Sequence, residues 1–237
     1  MAQITDLYIY PVKSLKGIAL KEAQTAQRGL EFDREWLITD QDYNFISQRE
    51  IELMTMIETD IDSDSLIFTS NNQKTLKIPL DSSRSNQVRA VVWDDLCDAF
   101  DEGDEASRWL TEVLGTFRGS ELRLVRFDQK GERPVPKKYL DGVHAESAFS
   151  DQFPYLITSW ESLIRLNTGL SENDSFEVSM NRFRPNIVVK GLPNVEMMTS
   201  SNLVCEKSGY QFGLRKPCKR CKITTIDQET GAIENPK

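Results

Sequence analysis

SLIFTSNNQKTLKIPL, residues 65–80, contains two runs rich in aliphatic, aromatic and threonine side chains, SLIFTS and TLKIPL, on either side of Asn71-Asn72. Asparagine favours turns, so the stretch predicts a β-hairpin. Upstream, EWLITD and NFISQ flank the polar DQDY turn, which predicts a second hairpin. VRAVVW and LRLVRF add strands downstream, and the opening ITDLYIYPV reads as a strand that Pro11 ends before the polar KSLKG segment.

Two segments break the β pattern. DEASRWLTEVLG places Ala106, Trp109, Leu110, Val113 and Leu114 at helical spacing, with Asp104 as a cap and Gly115 as a stop. Thr158-Ser159-Trp160-Glu161 has a capping-box pattern ahead of Leu163, Ile164 and Leu166, predicting a second helix that ends near Gly169. Strands then resume with PNIVVK, the SNLVCEK to YQFGL stretch and the threonine-rich KITTID. Many short strands with two isolated helices predict a β-rich α+β protein, not a doubly wound sheet. FDQKGERPVPKKY, residues 127–139, is charged and proline-containing, and marks a domain boundary that divides the chain into residues 1–125 and 126–237.

The 237 residues suffice for a sizeable core. The N-terminus has no secretory signal and no stretch is apolar enough to span a membrane, which predicts a cytoplasmic protein. The net charge of −8 argues against a nucleic-acid footprint, since phosphate binding normally shows as a basic excess. With one histidine, His144, paired-histidine zinc chemistry is excluded. That residue lies in a polar stretch and reads as a solvated surface side chain.

RKPCKRCKITTID, residues 215–227, sets Cys218 and Cys221 among Arg215, Lys216, Lys219, Arg220 and Lys222. Neighbouring cations stabilise a thiolate, which suits a nucleophile or a soft metal ligand. A zinc site, a thioredoxin-like dithiol and two incidental cysteines in a solvated basic run are the competing readings. Lys13-Ser14 and Lys16-Gly17 after the first strand, Arg34 in EFDREW, and Arg184 with Asn186 in NRFRPN are further polar groups suited to an anion.

Taken together, IYPVKSLKG, GLEFDREWLI, SDQFPYLITSWESL, NRFRPNIVV and CKRCKITTIDQETG stand in an order and spacing that resembles the MOSC family. The resemblance is to its two-part members with an N-terminal MOSC-associated β-barrel domain, the group of the mitochondrial amidoxime reducing component and its bacterial relatives. It implies a molybdenum cofactor, a phosphorylated molybdopterin, with Cys221 as metal ligand and catalytic thiolate. By the same resemblance Lys13, Ser14, Arg34, Arg184, Asn186, Lys219 and Arg220 match cofactor contacts. Gln152 and Phe153 align with small hydroxyl residues that contact the cofactor in relatives, and Phe153 would have only its backbone to offer. Relatives continue with at least one further strand, so the MOSC domain is expected to lack its closing strand and to leave the barrel open. The implied activity is reduction of N-hydroxylated small molecules such as hydroxylaminopurines or amidoximes. Since the chain has no ferredoxin-type cysteine array, electrons would come from a separate flavoprotein or iron-sulfur protein. A non-catalytic carrier of the cofactor or its sulfur would use the same residues, and a remnant that binds no molybdenum is the third alternative.

Overall fold

Alternating burial organises the hairpin of residues 65–80 in the computed structural model, which describes residues 2–81, 83–192 and 202–234. Leu66 and Phe68 are fully buried and face Ile78 and Leu76 across the strands. The turn is closed by Ser70, whose hydroxyl donates to Asn72, and by Gln73 in left-handed backbone.

Strands numbered in chain order begin with β1 (Gln3–Ile9), β2 (Ile18–Leu20), β3 (Thr25–Ala26), β4 (Gly29–Leu30) and β5 (Trp36–Thr39). β6 (Glu58–Ile61), β7 (Ser65–Thr69) and β8 (Thr75–Pro79) form a three-stranded antiparallel sheet around that hairpin. β9 (Gln87–Val92), β10 (Asp95–Asp101) and β11 (Arg123–Phe127) join β5 in the order β5-β11-β10-β9. The last strands are β12 (Ile157–Ser159), β13 (Ile187–Lys190), β14 (Asn202–Val204) and β15 (Gln211–Gly213). Two helices, α1 (Asp104–Leu114) and α2 (Trp160–Glu172), complete this β-rich α+β fold.

The β5-β11-β10-β9 sheet is apolar on both faces. Trp36, Ile38 and Leu124 enter a core with the β7-β8 hairpin and with Trp109 and Leu110 of α1. Leu37, Val125 and Phe127 alternate with them and pack on the other face against Ala99, Ala148 and Phe149. That period-2 alternation lets one strand serve two cores. A smaller core holds α2 against β13 through Leu163 and Val188.

Sheet order β12-β13-β1-β2 puts β1 between elements that lie far apart in the sequence. β1 runs antiparallel to β13, with Leu7 opposite Ile187, and β12 runs parallel to β13. Among the described residues the sheets close no barrel, so the barrel reading is not met by the strand pairing.

Several local expectations are corrected. KITTID is not a strand: Lys222–Thr225 forms a 3-10 turn. The hydroxyls of Thr224 and Thr225 donate to the carbonyls of Cys221 and Lys222 at 3.0 and 2.8 Å, giving the backbone a local alternative to a ladder. NFISQ contributes only single bridges, Thr39 with Phe45 and Asn44 with Val91. Gly103, not Asp104, is the N-cap of α1, and Asp104 is drawn away by Arg123 at 2.9 Å. For α2 the cap is Ser159, which accepts from the Ser162 amide at 3.1 Å, while Glu161 accepts from the Gly191 amide instead of closing a capping box. α2 also runs past Gly169 to Glu172.

Ser159 is 1% exposed and its cap has no substitute, so Ser159→Ala should cost about 1 kcal/mol of unfolding free energy in denaturant titrations. Phe68→Ala, emptying a fully buried site against Trp109, should cost about 3–5 kcal/mol in the same measurement.

Candidate functional site

Strand order gathers the site. Because β1 and β13 are antiparallel, the segment leaving β1 (residues 10–17) and the segment entering β13 (residues 180–186) lie at the same end of the sheet. β12 is parallel to β13, so the loop before it, residues 148–156, reaches that end too. Residues 31–35 are tied in as they lead into β5, where the Trp36 amide donates to the Pro11 carbonyl at 3.0 Å.

At the centre is Tyr10, 4% exposed. The Arg34 and Arg184 guanidinium groups each lie over its ring, at 4.4 and 4.3 Å from the centroid. Gly17 abuts the same ring: a Cβ there would stand 2.5 Å from a ring carbon, so only glycine permits the approach. Burial raises the Tyr10 hydroxyl to about 12, against the pull of both arginines, and burial lowers Arg184 to about 10, still charged at neutral pH. Arg34 donates to Asp33 at 2.6 Å, to the Asn186 side chain at 3.0 Å and to the Arg184 carbonyl at 3.1 Å. Asp33 also accepts from the Tyr10 amide at 2.8 Å. Asn186, 1% exposed, ties β1 to the loop before β12 by donating to the Tyr8 carbonyl and accepting from the Leu156 amide. Arg184 reaches the Leu15 carbonyl at 2.6 Å and Gln228 at 3.3 Å.

A second line of contacts leads outward to the thiol. The buried Lys13 ammonium donates to the Phe149 carbonyl at 2.8 Å and to Asp151 at 2.6 Å. The charge of Lys13 holds the Asp151 carboxyl well below the usual carboxylate range, while burial pulls the Lys13 ammonium down and Asp151 opposes that pull. Asp151 accepts from the Trp93 indole at 3.3 Å. The Arg49 guanidinium lies over the Trp93 ring at 4.7 Å and donates to Cys221 Sγ at 3.8 Å. Asp151 is thus an ion-pair partner of the expected cofactor contact Lys13.

Four residues here, Ser14, Arg34, Trp93 and Arg184, are non-glycine residues with φ between 53° and 73°. Left-handed backbone costs such residues of order 1 kcal/mol or more, and it concentrates where function over-determines the geometry.

The other expected residues are less engaged. Lys219 and Arg220 are exposed, with Arg220 resting on the Phe183 ring at 5.0 Å. Gln152 is taken by Lys216 at 2.6 Å, and the Phe153 ring packs on Tyr139. Cys218 and Cys221 are both exposed and free, whereas Cys97 is buried in the core, where burial raises its thiol to about 11. Among the described residues no three His, Cys, Asp or Glu side chains gather around a metal position, so a four-ligand zinc site is not assembled there. His144 is exposed and pairs with Glu146 at 2.6 Å. Sequence reasoning missed Tyr10, Arg49 and Trp93. Only the left-handed backbone distinguishes Trp93, and that is invisible in one sequence.

An exposed thiol able to bind a soft metal, a buried lysine with a third donor beyond its two protein acceptors, and exposed Lys219 and Arg220 form a donor set that fits an anionic, phosphorylated, metal-bearing cofactor.

Residues 1–117 match the MOSC N-terminal beta barrel domain and residues 144–237 the MOSC domain. The chain is 30% identical to human mitochondrial amidoxime reducing component 2 over 98% of its own length and 68% of the relative's. Human mitochondrial amidoxime-reducing component 1 is likewise 30% identical over 97% of this chain and 68% of that one. Human molybdenum cofactor sulfurase is 26% identical over 96% of this chain, which covers 27% of the sulfurase. With the site residues Lys13, Arg34, Arg184, Asn186 and Cys221 falling inside the two matched regions, the chain belongs to the MOSC family, in its two-part form with an N-terminal MOSC-associated domain.

Proposed function

We propose that the protein is a molybdenum-cofactor-binding oxidoreductase that reduces N-hydroxylated small molecules, amidoximes or hydroxylaminopurines, with electrons from a separate flavoprotein or iron-sulfur protein. The observation that carries this reading is the exposed Cys221 thiol at the end of the contact line through Arg49, Trp93 and Asp151 to buried Lys13. Kinship with two amidoxime reducing components supports the reductase class. The four free cysteines support a cytoplasmic, reducing setting. The charged segment of residues 127–139 is proposed as the boundary region between the two parts, with the division near residue 125.

When bound, the cofactor would supply two-electron removal of oxygen at its metal. Cys221 would hold that metal, and its exposure leaves room for a substrate beside it. Lys219 and Arg220, next to the ligand and free of ion pairs among the described residues, would bind the phosphate. Lys13 would add its remaining donor, held in place by Phe149 and Asp151. Arg34 and Arg184 act differently: their guanidinium groups are spent on Asp33, Asn186, Leu15 and Gln228, so they would give the floor of the pocket a fixed positive charge. The left-handed turn at Ser14 would offer the anion the Ser14 amide, since the amides of Lys13, Leu15 and Lys16 donate to the Trp36, Val12 and Ile57 carbonyls. Phe153 would contribute through its backbone alone, and Gln152 only after parting from Lys216.

The relationship to molybdenum cofactor sulfurase favours a second reading, a carrier of the cofactor or its sulfur on Cys221. A carrier reduces no substrate. With dithionite-reduced viologen as donor, protein from a cofactor-producing host should convert benzamidoxime to benzamidine; bound molybdenum with no conversion would establish the carrier in its place.

Cys221→Ser should keep the fold, since the side chain is exposed and its sulfur hydrogen-bonds to the Arg49 guanidinium at a long 3.8 Å, yet lose most of its molybdenum by elemental analysis. Wild-type molybdenum content in the folded variant would remove Cys221 from the ligand position.

A further inference from the structure

Gln48 and Gln228 lie 180 residues apart in the chain, and both are buried, at 0% and 5% exposure. Their carboxamides face each other, each Nε2 donating to the other's Oε1 at 3.1 Å. The second N–H of Gln48 goes to the Ser14 carbonyl at 2.7 Å, and that of Gln228 to the Ile226 carbonyl at 3.2 Å. Arg184 also donates to Gln228 Oε1, at 3.3 Å. Turning either amide over would set its oxygen against a carbonyl oxygen, so the orientation of both is fixed. Every N–H of the pair is used, in a buried place where an unused one would be costly.

Two segments of the site meet at this pair. On one side it holds the carbonyl of Ser14, a residue in left-handed backbone. On the other it starts a stiff link back to the thiol. The Ile226 amide donates to the Ile223 carbonyl at 3.1 Å, and the Thr224 amide to the Cys221 carbonyl at 3.1 Å, around the 3-10 turn of Lys222–Thr225. Ile226 itself is fully buried. Nearer the thiol the contacts are exposed: Lys222 reaches the Arg49 carbonyl at 3.1 Å and Glu52 at 3.2 Å. Contacts of that kind hold a segment weakly. Buried Arg182 also grips Asp227, at 2.9 Å, but it belongs to the segment entering β13 and not to the Ser14 loop.

We infer that Gln48 and Gln228 are positioning residues: their reciprocal amide pair, which joins the two matched regions of the chain, holds the segment bearing Cys221 against the loop bearing Lys13 and Ser14. The consequence for the cofactor rests on the reading of Cys221 as metal ligand, but the holding does not. A group gripped by both segments needs them at one separation. A neutral amide pair fixes that separation and leaves the charge of Arg184 uncancelled, as a carboxylate in either place would not.

Gln228→Met and the double variant Gln48→Met/Gln228→Met, purified from a cofactor-producing host, test the pair by amide hydrogen exchange, molybdenum content and thermal melting. The single variant strands the Gln48 amide and should melt lower. The double variant replaces both amides by apolar side chains of similar shape and should recover most of that loss. Exchange at the Ile226 and Asp227 amides, bonded to the Ile223 and Ala232 carbonyls, should still run roughly tenfold faster than wild type in both variants, the scale of one lost hydrogen bond. The amides of β5 and β11 should be unchanged in the double variant, and molybdenum per folded protein should fall in both. A pair that serves stability alone would let exchange and molybdenum recover together with the melting temperature. That result, full molybdenum in the double variant, or wild-type exchange in either folded variant overturns the proposal. If the wild type holds no molybdenum, the cofactor reading falls, and the exchange rates alone decide on the pair.

Discussion

Two guanidinium groups over one buried phenol ring hold this molecule's site together. Tyr10 follows directly on β1, Arg34 precedes β5 and Arg184 precedes β13, so three distant segments meet on a single ring. Stacking on an aromatic face suits arginine because its planar, weakly hydrated cation loses little on desolvation. The hydrogen-bonding edges of the same groups remain available, and they fasten Asp33, Asn186, Leu15 and Gln228. Replacing either arginine by lysine would keep a charge but not this combination of face and edge. The arrangement also explains how an acidic protein, net −8, gathers cations at one place: topology, not composition, brings Arg34 and Arg184 together.

Most strands were legible in the sequence wherever apolar and polar side chains alternated between turn residues. β7-β8, β9, β11 and β13 fall where the patterns of residues 65–80, 88–93, 122–127 and 185–190 put them. Legibility failed where a side chain had a better partner than the local rule assumes. Thr224 and Thr225 carry the composition of a strand, but their hydroxyls satisfy nearby carbonyls and wind the chain into a turn. Asp104 has the identity of a cap, but Arg123 lies within reach only in the folded sheet.

The site divides in the same way. Lys13, Arg34, Arg184, Asn186 and Cys221 sit in short motifs whose order along the chain was readable. Arg49, Trp93 and Asp151 were not, because what they do depends on contacts across long separations: 172 residues from Arg49 to Cys221, 58 from Trp93 to Asp151 and 138 from Lys13 to Asp151. No local pattern encodes a partner that far away.

The placement of β1 between β13 and β2 bears on the order of assembly during synthesis. A strand made from residues 3–9 cannot complete its pairing until residues 187–190 have left the ribosome. Until then its outer edge offers unpaired backbone groups to any passing strand. Long-range pairing of this kind is slow, since the loop must close before its contacts reward it. The N-terminal part of the site and the segment around Cys221 therefore become neighbours only after all the chain between them has been made, and a group held by both Lys13 and Cys221 would find no complete cradle before then.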